Sequence, residues 1–369
     1  MSERDAELLD VSGHKPEGPA FWHPLKVAKE VIEREIQRLS DAPRPEDGRR
    51  SSLIVHPCSK APGLGLAPGI DVTINVLNPG ESTRPIRRNS NQVEICIRGA
   101  GRVTVGEQKL RLEQWDVCNI PSMRAYFHTN DGDDVWVRLT YSNAPLLAKL
   151  GIHYSEENPV EHDRKKGAGA NVEQSQRYVR DTAPDVPILE SGARLRGYEF
   201  LTDIEVVENK AYVWPFELVS PYLATRPGDN KRGIMLFYNP ATERRNGTTH
   251  SFFTTISSTP PGMQPRPIGP GHRHSSVAIN YHYKGSGKSI VGDHIIEWQA
   301  GDLLLSAPGW MEHAHYFGPE GAGAFTVQDH PLQIGMESLI WQERMDGPIL
   351  TLGSDAGQVG YVGPRVAGQ

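Results

Sequence analysis

GHRHSSVAINYHYKGSGKSIVGDHIIEWQAGDLLLSAPGWMEHAH, residues Gly271 to His315, is the most informative stretch of this chain. Half of the 14 histidines of the chain fall between Gly271 and His330. Residues two apart in a strand point to the same face, so His272 and His274 would present two imidazoles side by side. His313 would complete the set from a second strand. Three neutral nitrogen ligands leave coordination positions open, which is typical of a catalytic metal rather than a closed structural one.

A repeat surrounds this stretch. RGAGRVTVGEQKLRLEQWDVCNIP (98–121) matches KGSGKSIVGDHIIEWQAGDLLLSAP (284–308), with the glycines and the aspartate aligned at an offset of 186. One inserted residue then brings His128 onto His315 at an offset of 187, and Pro145 faces Pro331 at 186 again. A register held over this distance predicts two copies of one domain.

Each copy alternates short strands with glycine turns and shows no helical period. This pattern predicts an all-β-dominated chain of two antiparallel barrels or double-sheet jelly rolls. A helical segment is predicted only near the N-terminus, starting at Pro24 and ending before Pro43. Its apolar stripe comprises Leu25, Ala28, Ile32, Ile36 and Leu39.

The 369 residues suit two domains. We predict a helical extension over 1–48, a first barrel over 49–160, a connection over 161–230, a second barrel over 231–345 and a tail over 346–369. The polar segment from His162 to Gln176 is expected to be an exposed part of the connection.

Charge and composition exclude several classes of partner. The net charge is -6 and the pI is near 6.2, which argues against nucleic acid and anionic membranes. The sequence has no apolar run of membrane-spanning length and no signal-peptide pattern at its start. Cys58, Cys96 and Cys118 are odd in number and widely spaced, so we expect reduced thiols in a cytoplasmic protein.

The motifs resemble the cupin superfamily, whose first motif carries HxH before a Gly-x-Gly turn and whose second carries Gly-Asp, a Pro and a third His. Over most of residues 70–345 the chain resembles the bicupin gentisate and salicylate 1,2-dioxygenase family, in PPGMQPRPIGPGHRHSS, KGSGKSIVGDHIIEWQAGD, PGWMEHAH and QDHP. The resemblance implies Fe(II) on His272, His274 and His313. It also implies a hydroxylated aromatic substrate, such as a substituted salicylate, and O₂, both atoms of which enter the product. We expect a homo-oligomer, either a tetramer or a dimer.

The chain departs from this family in two places. Typical gentisate dioxygenases, as the resemblance implies, carry iron in the first cupin. Here the repeat places Ile86, Arg88 and Tyr126 opposite the three histidines, so the first cupin is expected to be metal-free. The family also has an Arg that holds the substrate carboxylate, six residues after the second His. This chain has Asn280 there, which cannot form an ion pair.

Five further residues are candidates for the site. His315 is either a structural hydrogen-bonding residue of the barrel or an acid/base group near bound oxygen. Asn280 and His282 share strand parity with the metal ligands and are candidates for substrate contact, although His282 also fits a core histidine. Trp298 and Trp310 either pack the core or contact an aromatic ring.

Arg84, Arg87 and Arg88 form a basic cluster in the first cupin. We interpret it as a solvated strand edge, the alternatives being a subunit contact or the vestige of an anionic pocket. Two rival functions remain at this point. One is a three-His metalloenzyme with a non-aromatic substrate or a different metal; the other is a non-catalytic bicupin that binds a small ligand.

Overall fold

The structure, a computed structural model, describes residues 10–13, 22–160, 182–188, 190–201, 210–223, 233–262, 269 and 271–352. The predicted exposed segment from His162 to Gln176 and most of the tail lie outside these residues. The helices are α1 (Lys29–Asp41), α2 (Ala144–Lys149), α3 (Phe216–Val219) and α4 (His330–Gly335), with 3-10 turns at Tyr198–Leu201, Ser220–Tyr222 and Pro240–Arg245.

The strands divide between the two halves of the chain and a connecting hairpin. Those up to the connection are β1 (Leu25–Val27), β2 (Arg50–Ile54), β3 (Asp71–Leu77), β4 (Ile86–Arg88), β5 (Gln92–Arg98), β6 (Gly101–Val105), β7 (Gln108–Leu112), β8 (Val117–Ile120), β9 (Tyr126–Thr129), β10 (Trp136–Ser142) and β11 (Ser155–Glu157). The remaining ones are β12 (Asp185–Pro187), β13 (Arg194–Arg196), β14 (Val213–Trp214), β15 (Gly233–Leu236), β16 (Phe253–Thr259), β17 (Arg273–His274), β18 (Ala278–Val291), β19 (His294–Gln299), β20 (Leu303–Ala307), β21 (His313–Gln328), β22 (Ile340–Gln342) and β23 (Leu350–Thr351).

The first half forms a barrel from two antiparallel sheets. Their strand orders are β14-β8-β5-β10-β3-β2 and β11-β4-β9-β6-β7, and residues of both sheets line one interior cavity. In the second half the order is β1-β20-β18-β21-β16-β15, with β19 beside β18 and a small sheet β17-β22-β23 next to it. The predicted fold, dominated by β-structure and built of two cupin barrels, is confirmed.

The internal repeat is visible in the strand register. Leu139 pairs with Ile95 in the first barrel as Phe325 pairs with Tyr281 in the second, at the offset of 186. Strand β18 spans the positions that β5 and β6 occupy as two strands in the first barrel. Strand β21 likewise spans the positions of β9 and β10. The two barrels are therefore copies of one topology.

The outer faces of the two barrels share one apolar core. Its buried side chains come from α1, from the first barrel (Ile95 and Leu139 among them) and from the second (Tyr281 and Phe325 among them). The ring of Trp115 in the first barrel lies 6.1 Å from that of Tyr281, between centroids. Because side chains alternate along each strand, one face of these strands packs into the shared core and the other faces the barrel interior.

The helix prediction near the N-terminus is wrong at its start. Leu25–Val27 form β1, which pairs with Leu303–Leu305 of the second barrel, and the helix begins at Lys29. The free edge of β20 provides backbone partners that a short isolated helical turn lacks, so pairing prevails over the apolar stripe. The rest of the stripe, Ile32, Ile36 and Leu39, is buried as predicted.

The connection mirrors this arrangement on the first barrel. There β14 pairs with β8, and the Asp116 carboxylate accepts from the Phe216 backbone N–H at 2.7 Å. In the second barrel Asp302 accepts from Lys29 N–H at 2.8 Å. In each barrel, therefore, a strand from outside the repeat pairs with the edge of the sheet. The first backbone N–H of the helix that follows this strand donates to an aspartate of the repeat.

Two smaller observations complete the fold. None of the three cysteines forms a disulfide. No helix of the described ranges has both the length and the apolar character needed to cross a bilayer.

Candidate metal centre

The three predicted ligands converge at one end of the second barrel. His272 and His313 form an isolated antiparallel β-bridge, and His274 follows on the same face as His272. The ring centroids are 4.6 Å apart for His272 and His313 and 4.7 Å apart for His274 and His313. Their candidate ligand nitrogens all lie within 4.8 Å of one another. This is the separation that one shared metal ion requires.

Hydrogen bonds fix the orientation of two of these rings. Nδ1 of His274 lies 2.8 Å from the carbonyl oxygen of Ser276, and Nδ1 of His313 lies 2.9 Å from that of Met311. A carbonyl only accepts, so each Nδ1 donates its proton and leaves the Nε2 lone pair for a metal. Burial lowers the pKa of both histidines, His274 well below its ordinary value. The donor set therefore fits a divalent transition metal with open positions.

Trp341 packs against two of the ligands, and no sequence motif pointed to it. Its ring stacks on His272 at 4.8 Å and 18° and on His274 at 5.0 Å and 22°, measured between centroids and planes. It is 2% exposed and sits on β22, which pairs with β17. In the first barrel the equivalent position is Ser155, which pairs with Arg88 as Trp341 pairs with His274, so the aromatic ring has no counterpart there. Trp341 restricts the rotation of both imidazoles.

A largely apolar cavity of about 340 Å³ opens beside the three histidines. Its apolar lining includes Ile234, Leu236, Phe253, Trp298, Phe317, Ile334 and Leu352. Apart from the histidines, Arg245 is the one charged residue among the described residues of the lining. The side chain of Arg245 is exposed, so it stands at the solvent-facing rim.

His315 lies in the same lining, two residues beyond His313 on β21. Its Nδ1 is 2.8 Å from the Ser289 hydroxyl, which also accepts from Trp298 Nε1–H at 3.1 Å. With that acceptor position taken, the Ser289 hydroxyl hydrogen is available to Nδ1. This arrangement favours the neutral tautomer of His315 that carries its proton on Nε2.

The other predicted contacts divide into two groups. Asn280, His282 and Trp298 line the cavity, and the rings of His282 and Trp298 stack at 3.7 Å. Asn280 is 5% exposed, and its Oδ1 has no hydrogen-bond partner within the described part of the chain. Trp310 lies outside the described lining, and its ring packs under the Arg273 guanidinium at 4.6 Å.

Sequence reasoning missed His330 as a site residue, although it ends the histidine-rich run. Its Nδ1 lies 2.7 Å from the Ser276 hydroxyl, and its ring centroid lies 5.2 Å from that of His274. Burial and the nearby His313 lower the pKa of His330 to about 3, so it is neutral near pH 7. Its buried Nε2 lines the cavity and has no hydrogen-bond partner among the described residues.

The first barrel carries no comparable ligand group in its described interior. Ile86 pairs with Tyr126 there, at the positions of His272 and His313, as the repeat predicted. A second group of possible ligands, His23, His56 and Cys58, lies outside that interior. His56 already uses both ring nitrogens, with Nε2 3.0 Å from the His23 carbonyl oxygen and Nδ1 accepting from Cys58 N–H at 3.0 Å. That group therefore offers no complete set of free lone pairs.

No protein-family model matches the chain. The chain is similar to a gentisate 1,2-dioxygenase of Haloferax sp, with 24% identity over 326 residues, which cover 84% of this chain and 83% of that protein. It is also similar to a 1-hydroxy-2-naphthoate 1,2-dioxygenase of Nocardioides sp. (strain KP7), with 24% identity over 308 residues, covering 81% of this chain and 72% of that protein. A solved salicylate 1,2-dioxygenase of Pseudoaminobacter salicylatoxidans, in an adduct with gentisate, has the same fold. Its TM-score is 0.67 at 15% identity, covering 90% of this chain and 88% of that one. The resemblance to bicupin gentisate and salicylate dioxygenases is thus confirmed.

Proposed function

We propose that this bicupin protein is a non-haem Fe(II) dioxygenase that cleaves the ring of a hydroxylated aromatic compound with O₂. The observation that carries the proposal is the convergence of three histidines on the wall of an apolar cavity. The similarity to dioxygenases of gentisate and 1-hydroxy-2-naphthoate supports the reaction class.

His272, His274 and His313 would hold the metal through nitrogen atoms. When bound, Fe(II) would supply open coordination positions and the redox partner that O₂ chemistry needs. The chain's own contribution is the fixed geometry: backbone carbonyls orient two of the ligands, and Trp341 packs against two of them. Such outer contacts preserve a site's geometry through repeated turnovers.

The apolar lining orients the ring and excludes water. A flat aromatic substrate would lie against the apolar lining, which includes Trp298 and Phe253, with its hydroxyl toward the histidines. Removing water strengthens each remaining polar contact, because the local dielectric falls. His315 then acts through its Nε2. The hydrogen bond from Ser289 to Nδ1 favours a proton on Nε2, and this proton can be donated to a substrate oxygen on which negative charge develops.

Two groups are placed to recognise a ring substituent. Asn280 offers an amide inside the cavity, and Arg245 offers a cation at its rim. A substrate carboxylate beside the hydroxyl, as in a substituted salicylate, would contact the Asn280 amide inside the cavity and the Arg245 guanidinium at its rim. Arg245 would then supply the positive charge that position 280 lacks.

We also propose that the protein works in the cytoplasm as a homo-oligomer. The three thiols without disulfides support the reducing compartment. Leu150, Ile152 and Tyr154 are exposed at alternate positions and form an apolar surface of the kind that a second copy covers. Light scattering on the purified protein tests the assembly.

The reaction is tested by reconstituting the protein anaerobically with Fe(II) and measuring O₂ uptake. The panel comprises salicylates, gentisate, 1-hydroxy-2-naphthoate, hydroquinones and aminophenols. We expect uptake with at least one hydroxylated ring and a ring-opened product by mass spectrometry. Uptake with none of them, by protein that retains its iron, would contradict the proposal.

A pair of neighbouring arginines tests the carboxylate contact in the same assay. Arg245→Gln should raise KM for carboxylated rings and leave uncarboxylated ones unchanged. Arg244→Gln is the control, since Arg244 is exposed and lies outside the described lining. Equal effects of both substitutions would remove Arg245 from the substrate site.

A further inference from the structure

The interior of the first barrel holds a second, smaller cavity. Its volume is about 110 Å³, and strands of both sheets line it. Its lining includes Arg88, Glu94, Tyr126, His128 and Arg138. This cavity occupies the place in the first barrel that the metal centre occupies in the second.

The repeat shows what has changed at this place. Arg88 stands at the position of His274, and Ile86 pairs with Tyr126 where His272 pairs with His313. A guanidinium has no lone pair to offer a metal and carries a permanent positive charge. The substitution therefore turns a position suited to a cation into one suited to an anion.

Most charges around the cavity are already balanced. Glu94 lies 2.9 Å from His128 Nε2 and 3.2 Å from Arg138 Nη1, and it accepts from the Thr140 hydroxyl at 3.2 Å. Burial would raise the pKa of Glu94, but His128 and Arg138 outweigh it and lower the value to about 2. Burial and Arg138 lower the pKa of His128 to about 4, so His128 is neutral near pH 7. Glu94 and Arg138 thus form a neutral pair.

The other two arginines of the lining are also compensated. Arg49 Nη1 lies 2.9 Å from an Asp47 carboxylate oxygen, and Arg50 Nη2 lies 2.8 Å from one of Glu81. Arg49 and Arg50 thus each have a carboxylate partner and need no further anion. The surplus positive charge of the cavity is therefore that of Arg88.

Arg88 makes no ion pair with any residue that the structure describes. Asp71 is the nearby carboxyl, and burial raises its pKa to about 7 against the influence of Arg88. Burial thus disfavours the charged form of Asp71, and its compensation of Arg88 is incomplete.

Two buried donors of this cavity have no hydrogen-bond partner in the described chain. They are Nε of Arg88 and Nε of Arg138, and Arg138 is only 3% exposed. An unsatisfied buried donor is costly, and native proteins normally pair it with a protein group, water or an ion. A ligand that accepts hydrogen bonds would satisfy these donors.

We propose that the first barrel binds one small monovalent oxyanion, a carboxylate of formate or acetate size or a bicarbonate ion, against Arg88. One surplus cation calls for one negative charge. A planar oxyanion matches the two parallel donors of a guanidinium, and the cavity is too small for an aromatic acid. The bound anion stabilises the first barrel by mass action, since it binds only the folded chain.

The test is equilibrium dialysis of the iron-loaded full chain with labelled formate, acetate and bicarbonate. We expect one saturable site per chain. Arg88→Gln should weaken it at least about tenfold, the effect typical of losing a charge-assisted pair. Arg84→Gln is the matched control, because Arg84 lies on the same segment but is 44% exposed and pairs with Glu46.

Asn280→Ala changes the lining of the second barrel's cavity only, so it should leave anion binding in the first barrel unchanged. Should Arg88→Gln fail to fold, Arg88→Lys replaces it; the charge is kept but the planar fork is lost, and we expect weaker binding. The proposal is overturned if the native chain binds none of the three anions. It is also overturned if binding survives the Arg88 substitution or is lost in Asn280→Ala.

Discussion

At the scale of single residues, the sequence sufficed where a motif is local or repeated. His272, His274 and His313 were predictable because alternate residues of a strand share a face and the resemblance to the cupin motifs indicated the third position. Trp341 and Arg245 were not, because each reaches the site through a tertiary contact that leaves no periodic signal. His330 lay inside the histidine-rich run, but only the fold shows that its ring turns into the cavity.

The first residue-scale prediction concerns Asn280. Asn280→Arg should shift preference toward carboxylated rings, because it adds a second cation to the one that Arg245 provides. Asn280→Ala should lower kcat/KM on the preferred substrate by about 10- to 150-fold if the amide bonds a charged group. Steady-state kinetics on carboxylated and uncarboxylated phenols measure both effects. An unchanged substrate ranking in both variants would leave Asn280 as an interior residue without contact to substrate.

A second prediction concerns Trp341, which stacks on two ligand imidazoles. Trp341→Ala should speed metal loss to a chelator by about 10- to 100-fold, the range found for residues that orient ligands. Trp341→Phe keeps a flat ring and should lose metal at nearly the native rate. Chelator competition with elemental analysis measures the rate without using activity. Native-like retention in Trp341→Ala would mean that the stacking does not hold the ligands.

A third prediction concerns pH and Asp71. Its pKa is about 7 in the folded chain because of burial, against 3.8 ordinarily. A carboxyl whose pKa is raised by folding favours the folded state below its unfolded pKa, and this contribution is lost as pH rises through the folded value. Asp71→Asn should therefore gain in Tm relative to the native chain between pH 4 and pH 8. Asp293→Asn is the exposed control, and an equal pH trend in both variants would argue against a buried Asp71 charge.

At the scale of secondary-structure elements, the repeat predicted the strands well, whereas Pro24 and the apolar stripe predicted the helix start wrongly. Glycine turns and strand periods are local, so the equivalence of the two barrels followed from the offset of 186. Leu25–Val27 continue the apolar stripe of the helix but pair with β20, nearly 280 residues away in sequence. A long-range edge pairing of this kind cannot be inferred from a helical period, since the partner strand is not part of the pattern.

At the scale of the whole molecule, the two barrels share their apolar core, so the first barrel is part of the support for the second. A fragment of residues 225–345 would lack β1 and expose the face that carries Tyr281 and Phe325. We expect it to aggregate or to bind metal poorly. Expression and metal analysis of the fragment measure this, and a soluble, fully active monomer would refute the supporting role.

The most direct test of the central claim is the metal content of the reconstituted chain. After anaerobic loading with Fe(II) and removal of free metal, elemental analysis should give one iron per chain. The double substitution His272→Ala and His274→Ala should abolish it, whereas His294→Ala, on an exposed strand of the same barrel, should not. Two ions per chain, or iron retained by the double variant, would contradict a single metal centre in the second barrel.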